Sequence, residues 1–173
     1  MIRITDKKEK FTPIVVDYRG VTIAFDFVLD YYVQEDGSKI ETNLATWCVH
    51  TMKKRTTFSQ VKAFIINEIN MGTDEAILSG FKWRDMSVWL STENQFNYKA
   101  AYDLAVQTNG ASLPTVFKFG DTENPVYYKF DALDELHDFY IKAMTYINEQ
   151  LAIGWAKKDA IDWSVYEKAL AEL

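Results

Sequence analysis

No stretch of this chain restricts its topology more than Val21 to Tyr32 and the turn that follows. The residues alternate with a period of two, and Glu35-Asp36-Gly37-Ser38 comes next. Successive side chains of a strand point to opposite faces. The alternation therefore places Val21, Ile23, Phe25, Phe27, Leu29 and Tyr31 on a core face. Thr22, Ala24, Asp26, Val28, Asp30 and Tyr32 fall on a wetter one. Asp-Gly tolerates the positive φ angles of a tight hairpin turn, so Lys39 to Met52 returns as the neighbouring strand. Pro13 to Tyr18 is a further β-rich run, and Arg19-Gly20 turns it into Val21. The first third reads as an antiparallel meander of about three strands, preceded by residues 1–10 as a polar arm or edge strand.

The pattern then changes to helical. Thr57-Phe58-Ser59-Gln60 forms a capping box, with Gln60 reaching back to the Thr57 backbone. Val61, Phe64, Ile65 and Ile69 follow at helical spacing. Gly72 is expected to end that helix, and Thr73-Asp74-Glu75 to start a short one ending near Gly80. Phe81 to Leu90 reads as a small hairpin turning near Asp85, with Trp83 and Trp89 on its arms. Ser91 or Thr92 caps a helix over 93–108, whose expected apolar face is Phe96, Ala100, Ala101, Leu104 and Ala105. A second hairpin has arms 115–119 and 126–130. Asp131 is expected to cap the longest helix, about 132–153, with Gly154 as its C-cap. Asp162 caps a last short helix carrying Trp163, Tyr166, Ala169 and Leu170.

The fold class is thus α+β: an N-terminal antiparallel meander, then helices and short hairpins, then a long helix and a short one. The expected organisation is a lobe over 1–72 and a mixed lobe over 73–173, or one continuous domain. Hydrophobic residues at 48 % and charged residues at 25 % are a globular balance, not a disordered one. Aromatics reach 15 %, an excess that suits either a dense core or a docking surface.

A net charge of −6 argues against nucleic-acid partners, since such affinity rests on many Lys and Arg contacts. Lys7-Lys8, Lys53-Lys54-Arg55 and Lys157-Lys158 are short clusters that read as solvated faces. Met1 to Lys10 has no apolar core, so no signal peptide is expected, and no apolar run approaches the roughly 20 residues a membrane span needs. A single cysteine, Cys48, excludes a disulfide within the chain.

Candidate chemistry is sparse. The chain holds two histidines, His50 and His137. Cys48 and His50 share one face of a strand, the arrangement of a nucleophile and its base, but no oxyanion signature accompanies them. Asp134, His137 and Asp138 lie on one side of the long helix at a spacing metal sites use, yet no second cluster completes a shell. Asp26 and Asp30 are roughly 13 Å apart along a strand, too far for paired-carboxylate hydrolysis. The glycines are dispersed, without a phosphate loop. Tyr127-Tyr128-Lys129-Phe130 could stack on bases, although alternation on a hairpin arm accounts for it. No catalytic, cofactor or metal residues are assigned, and the chain reads as non-enzymatic.

Gly80-Phe81-Lys82-Trp83, Val88-Trp89-Leu90-Ser91-Thr92-Glu93-Asn94-Gln95, Leu136-His137-Asp138-Phe139-Tyr140 and Gly154-Trp155-Ala156-Lys157-Lys158-Asp159-Ala160-Ile161-Asp162 occur in that order. Over about 80–166 this resembles a domain of unknown function found in tail and tail-fibre-associated proteins of bacteriophages and prophages. Gly154, Trp155, Lys158 and Ile161 fit its Gly-Trp-x-x-Lys-x-x-Ile ending. The residues themselves read structurally: Gly154 as a helix end, Trp155 as a core plug at the helix junction, Ile161 as the staple before the Asp162 cap. The resemblance implies a virion or tail-assembly role, assembled in the host cytoplasm, with other phage virion or tail proteins as partners and a ring-like homo-oligomer as its form. It carries over no catalytic residues, and no cofactor, nucleic acid or membrane is expected. A tail-fibre assembly chaperone absent from the particle is the alternative, and a small hydrolase a third reading.

Overall fold

The computed structural model of the protein describes residues 2–6, 12–17, 20–50 and 56–173, with strand residues 2–6, 27–32 and 41–50 given by backbone alone. The elements in chain order are β1 (Ile2–Asp6), β2 (Ile14–Val16), β3 (Val21–Val33), β4 (Lys39–His50), α1 (Phe58–Ser79), β5 (Lys82–Trp83), β6 (Met86–Ser87), α2 (Thr92–Gln107), β7 (Thr115–Gly120), β8 (Pro125–Phe130), α3 (Leu133–Asp159) and α4 (Trp163–Ala171). The fold is α+β, as the sequence pattern implies. The chain divides into two compact units, Met1–Glu68 with Lys157–Leu173, and Ile69–Ala156. The division falls inside α1 and α3.

The first unit is built on one antiparallel sheet of order β1-β4-β3-β2. Residues Ile2 to Asp6 form its edge, paired with β4 from Ile2↔Trp47 to Asp6↔Asn43. The hairpin turn forms where Asp-Gly sits. Gly37 has φ +82°, and Ser38 donates its backbone N–H to Asp36 Oδ1 at 2.9 Å. The expected unbroken alternation along β3 is corrected by a bulge. Phe25 pairs with Thr46 and Val28 with Leu44, so one extra β3 residue intervenes, and Asp26 there has φ 57°. Lys157 Nζ reaches the Asp26 carboxylate at 3.0 Å. Ala24, expected on the wetter face, is fully buried.

The capping box opens α1 as expected. Thr57 N–H donates to Gln60 Oε1 at 2.9 Å, and Gln60 N–H to Thr57 Oγ1 at 3.3 Å. α4 begins at Asp162, whose carboxylate accepts from Ser164 N–H at 3.0 Å. Tyr166 then carries α4 into the core, donating its hydroxyl to the Ala24 carbonyl at 2.8 Å. Phe58 meets Trp163 edge-on at 6.3 Å.

Two expected helix breaks are absent. α1 runs through Gly72 and Thr73 without interruption, because Thr73 turns its hydroxyl back to the Ile69 carbonyl at 2.9 Å instead of capping a new helix. α3 runs through Gly154 to Asp159, and Gly154 is buried within it. The Ala132 carbonyl accepts the first bond of α3 from Leu136 at 3.2 Å. Ala132 thus holds the cap position assigned to Asp131, whose carboxylate pairs with Lys129 at 2.7 Å.

Candidate functional site

The second unit, Ile69–Ala156, packs around aromatic rings. Trp83 lies within 5.5 Å, centroid to centroid, of Tyr128, Phe130 and Phe139, and Phe117, Phe119 and Tyr98 close the cluster. Buried rings dominate this core, so much of the aromatic excess is structural. Trp83 enters from a hairpin whose turn residues, Arg84 and Asp85, both have positive φ, 49° and 63°. A two-residue turn of that hand requires this, although Asn and Gly adopt it with less strain. The Arg84 guanidinium lies 4.4 Å above the Trp83 ring, and its Nη1 is 2.5 Å from both Glu135 Oε1 and the Tyr128 hydroxyl. Tyr128 donates to the same Glu135 oxygen. That hydrogen bond and the adjoining carboxylate raise the Tyr128 phenol's pKa. Trp83 Nε1–H donates to Asp138 at 3.0 Å. Lys142 first, and then Trp83, lower the Asp138 carboxyl's pKa. These contacts fasten the hairpin onto α3.

Beside this core lies a half-open groove of about 690 Å³. Val88, Tyr98 and Phe117 are its buried floor, and desolvation pushes the Tyr98 phenol up to about 12. Trp89 forms one wall and is 50 % exposed. Its backbone is held by α2: Asn94 Nδ2 donates to the Trp89 carbonyl at 2.8 Å, Gln95 Nε2 to the Leu90 carbonyl at 2.7 Å, and Ser91 caps the helix by accepting from Asn94 N–H. The opposite wall is β7, through Val116, Lys118 and Gly120, and the loop beyond it. Asn97, Lys118 and Thr122 are polar residues of its lining. The arrangement offers an aromatic wall, an apolar floor and a few donors and acceptors, which is the make-up of a binding site.

α2 adds a second surface feature. The sequence reading puts Phe96, Ala100, Ala101, Leu104 and Ala105 on one apolar face, but the helix carries two. Tyr98, Ala101 and Ala105 face the core, whereas Phe96 and Leu104 are 71 % and 52 % exposed with Ala100 exposed between them. Tyr98 decides the rotation, because its ring packs against Phe117 and Phe139 at 4.6 and 5.0 Å.

The residues singled out in the sequence are dispersed. Cys48 and His50 lie on β4 opposite Ile23 and Val21, and their side chains are outside the described residues, as is that of Asp30. His137 Nδ1 is 2.7 Å from the Tyr102 hydroxyl, while Asp138 is engaged by Trp83 and Lys142. Among the described residues no three His, Cys, Asp or Glu groups stand together to hold a metal. Tyr127 is exposed and Phe130 buried, the alternation of a hairpin arm.

Of the Gly-Trp-x-x-Lys-x-x-Ile residues, Gly154 lies where α3 meets α1, not at a helix end. Trp155, expected as a core plug, is 58 % exposed, because Gly154 takes the inward position and the next residue turns roughly 100° away. Lys158 is half-buried in the last turn of α3, and Ile161 half-buried immediately before the Asp162 cap. Trp89, expected on a hairpin arm, lies beyond the end of β6 at Ser87, and nothing local marked it as a groove wall. Among the described residues no helix is long and apolar enough to cross a membrane.

Residues 60–172 match the family model described as a domain of unknown function, DUF4376. The chain belongs to that family. The resemblance read over about 80–166 falls within the match, which also takes in α1 from its first turn and the whole of α4. Both the groove and the exposed stripe of α2 therefore lie inside the DUF4376 region, and the β1–β4 sheet lies outside it. Neither a curated protein nor a solved structure matches the chain.

Proposed function

We propose that this protein is a non-enzymatic bacteriophage structural or tail-assembly component that works through protein–protein contacts in the virion. The observation that carries the reading is the second apolar stripe of α2. Phe96, Ala100 and Leu104 recur every four residues, yet the core of their own unit does not use them. Exposed apolar side chains aligned on one helix are the usual mark of a surface that another protein covers. Trp89, an anchor type common in interface hot spots, is half-exposed, and its backbone carbonyl accepts a hydrogen bond from Asn94. The resemblance of residues 80–166 to tail-associated phage domains supplies the context, and a ring of copies, each meeting the next head to tail, is the arrangement such a module would adopt. Partners are other tail proteins, and assembly takes place in the host cytoplasm.

Mass spectrometry of purified particles tests this. The reading expects the chain among the virion proteins, in a fixed ratio to tail components. Its absence from particles, with co-purification on an immature fibre protein instead, would favour an assembly chaperone and end the virion reading.

A further inference from the structure

The β7–β8 hairpin is a two-stranded sheet, so each strand keeps one unpaired edge. Pairing runs from Thr115↔Phe130 to Gly120↔Pro125, and among the described residues no backbone group outside the hairpin bonds to β7. From this hairpin the groove is lined by β7 and the loop after it and by no residue of β8. In an antiparallel ladder about half of a strand's N–H and C=O groups point away from its partner. Those of β7 are left unpaired by β8, on a strand that lines the groove. An edge left in this state is a template for another strand.

The surroundings specify what that strand would be. A strand added to β7 would alternate between two faces. One face continues the side of Phe117 and meets the apolar floor of Val88 and Tyr98, flanked by Trp89. The other continues the side of Val116 and Lys118. Lys118 and Lys82, the latter paired across β5–β6 with the groove residue Ser87, are exposed and have no ion-pair partner among the described residues. One acid faces this groove, Asp121, and its Oδ1 accepts from the Glu123 and Asn124 amides at 2.9 and 2.6 Å. The local charge complements an acidic ligand even though the chain as a whole is acidic.

We propose that the groove between Trp89 and β7 binds an extended segment of a partner polypeptide, alternating apolar and acidic residues, which adds to β7 as a third strand. This rests on the reading that the protein acts through protein contacts, and names the chemistry of one partner. Backbone pairing supplies the affinity and the alternate side chains the selectivity, the mode of strand addition to a sheet edge.

The test uses the full chain and a set of fluorescent eight-residue synthetic peptides in which Glu or Asp alternates with Val, Leu or Phe. The same peptides N-methylated at alternate backbone nitrogens are the controls. Saturable binding is expected, weakened about tenfold or more by N-methylation in one of the two registers, because N-methylation removes the N–H that a ladder needs. Lys118→Glu and Trp89→Ala, both at exposed positions, should weaken it similarly while circular dichroism stays unchanged. Equal binding of parent and N-methylated peptides in both registers, or no binding by any peptide of the set, overturns the proposal. If the peptides fail while the chain is present in particles, only the strand-addition inference falls. If they bind as described while the chain is absent from particles, the virion reading falls and the edge site stands.

Discussion

A Cβ on Gly154 would stand 2.4 Å from Oγ1 of Thr73 and 3.2 Å from its methyl carbon. α1 and α3 thus approach closely at one point, and the glycine that looks like a helix end is there for lack of a side chain. Thr73 cannot simply rotate away without giving up its bond to the Ile69 carbonyl.

Gly154→Ala should therefore destabilise the protein by about 1–2 kcal/mol through overpacking, even though Ala is favoured over Gly in a helix interior by roughly 1 kcal/mol. In a Thr73→Ala background the same substitution should become stabilising, by up to about 1 kcal/mol. Urea unfolding of the four variants measures this as a double-mutant cycle. Stabilisation by Gly154→Ala in both backgrounds would show that the helices are not in close contact there.

Trp83 and Trp89 should separate stability from docking. Trp83 is buried among rings, and Trp83→Ala should cost about 3–5 kcal/mol. Trp89 is half-exposed, and Trp89→Ala should cost only about 1–2 kcal/mol. Chemical denaturation of both variants checks the contrast. Comparable losses would mean that the Trp89 ring is part of the core.

The turn at Arg84-Asp85 offers a gain. Asp85 holds φ 63°. Asp85→Gly should relieve that conformation and stabilise the fold by about 0.5–1 kcal/mol, whereas Arg84→Gly should gain less because it also gives up the contacts to Trp83 and Glu135. Thermal unfolding of the two variants should rank them in that order.

How far these features were legible depends on how local their causes are. The Thr57–Gln60 capping box, the Asp36-Gly37 turn, the Ser91 cap and the hairpin at Asp85 each rest on contacts within a few residues, and each formed where the residues indicated. The misreadings share a different cause. Gly154 and the face of α2 look locally ambiguous, and a residue distant in sequence decides each: Thr73 packs against Gly154, and Phe117 and Phe139 draw Tyr98 inward. The bulge at Asp26 is of the same kind, since its partner strand, not its own alternation, reveals it. The groove was not legible at all, because it takes Trp89 from beyond the end of β6, Asn97 from a helix and Lys118 from a hairpin to line it.

Alkaline pH should weaken the fold in a defined window. Burial pushes the Tyr98 phenol up to about 12 and raises that of Tyr166 as well. An unfolded tyrosine ionises near 10. The folded state therefore holds its phenolic protons more tightly, so the stabilisation is complete below about pH 10 and is lost as pH rises through the folded values. Urea unfolding across this range should show stability falling, and Tyr98→Phe should flatten part of the fall. A curve unchanged between about pH 10 and 12 would contradict the burial of these hydroxyls.

The most direct test of the whole account is the amount of this protein in particles made from a genome carrying Trp89→Asp. The substitution puts a charge at the groove wall while leaving the aromatic core intact. The account predicts a variant that folds as the parent does by circular dichroism, yet is depleted at least about tenfold from purified particles, or leaves tails unassembled. Normal particles containing the folded variant in parental amount would contradict it.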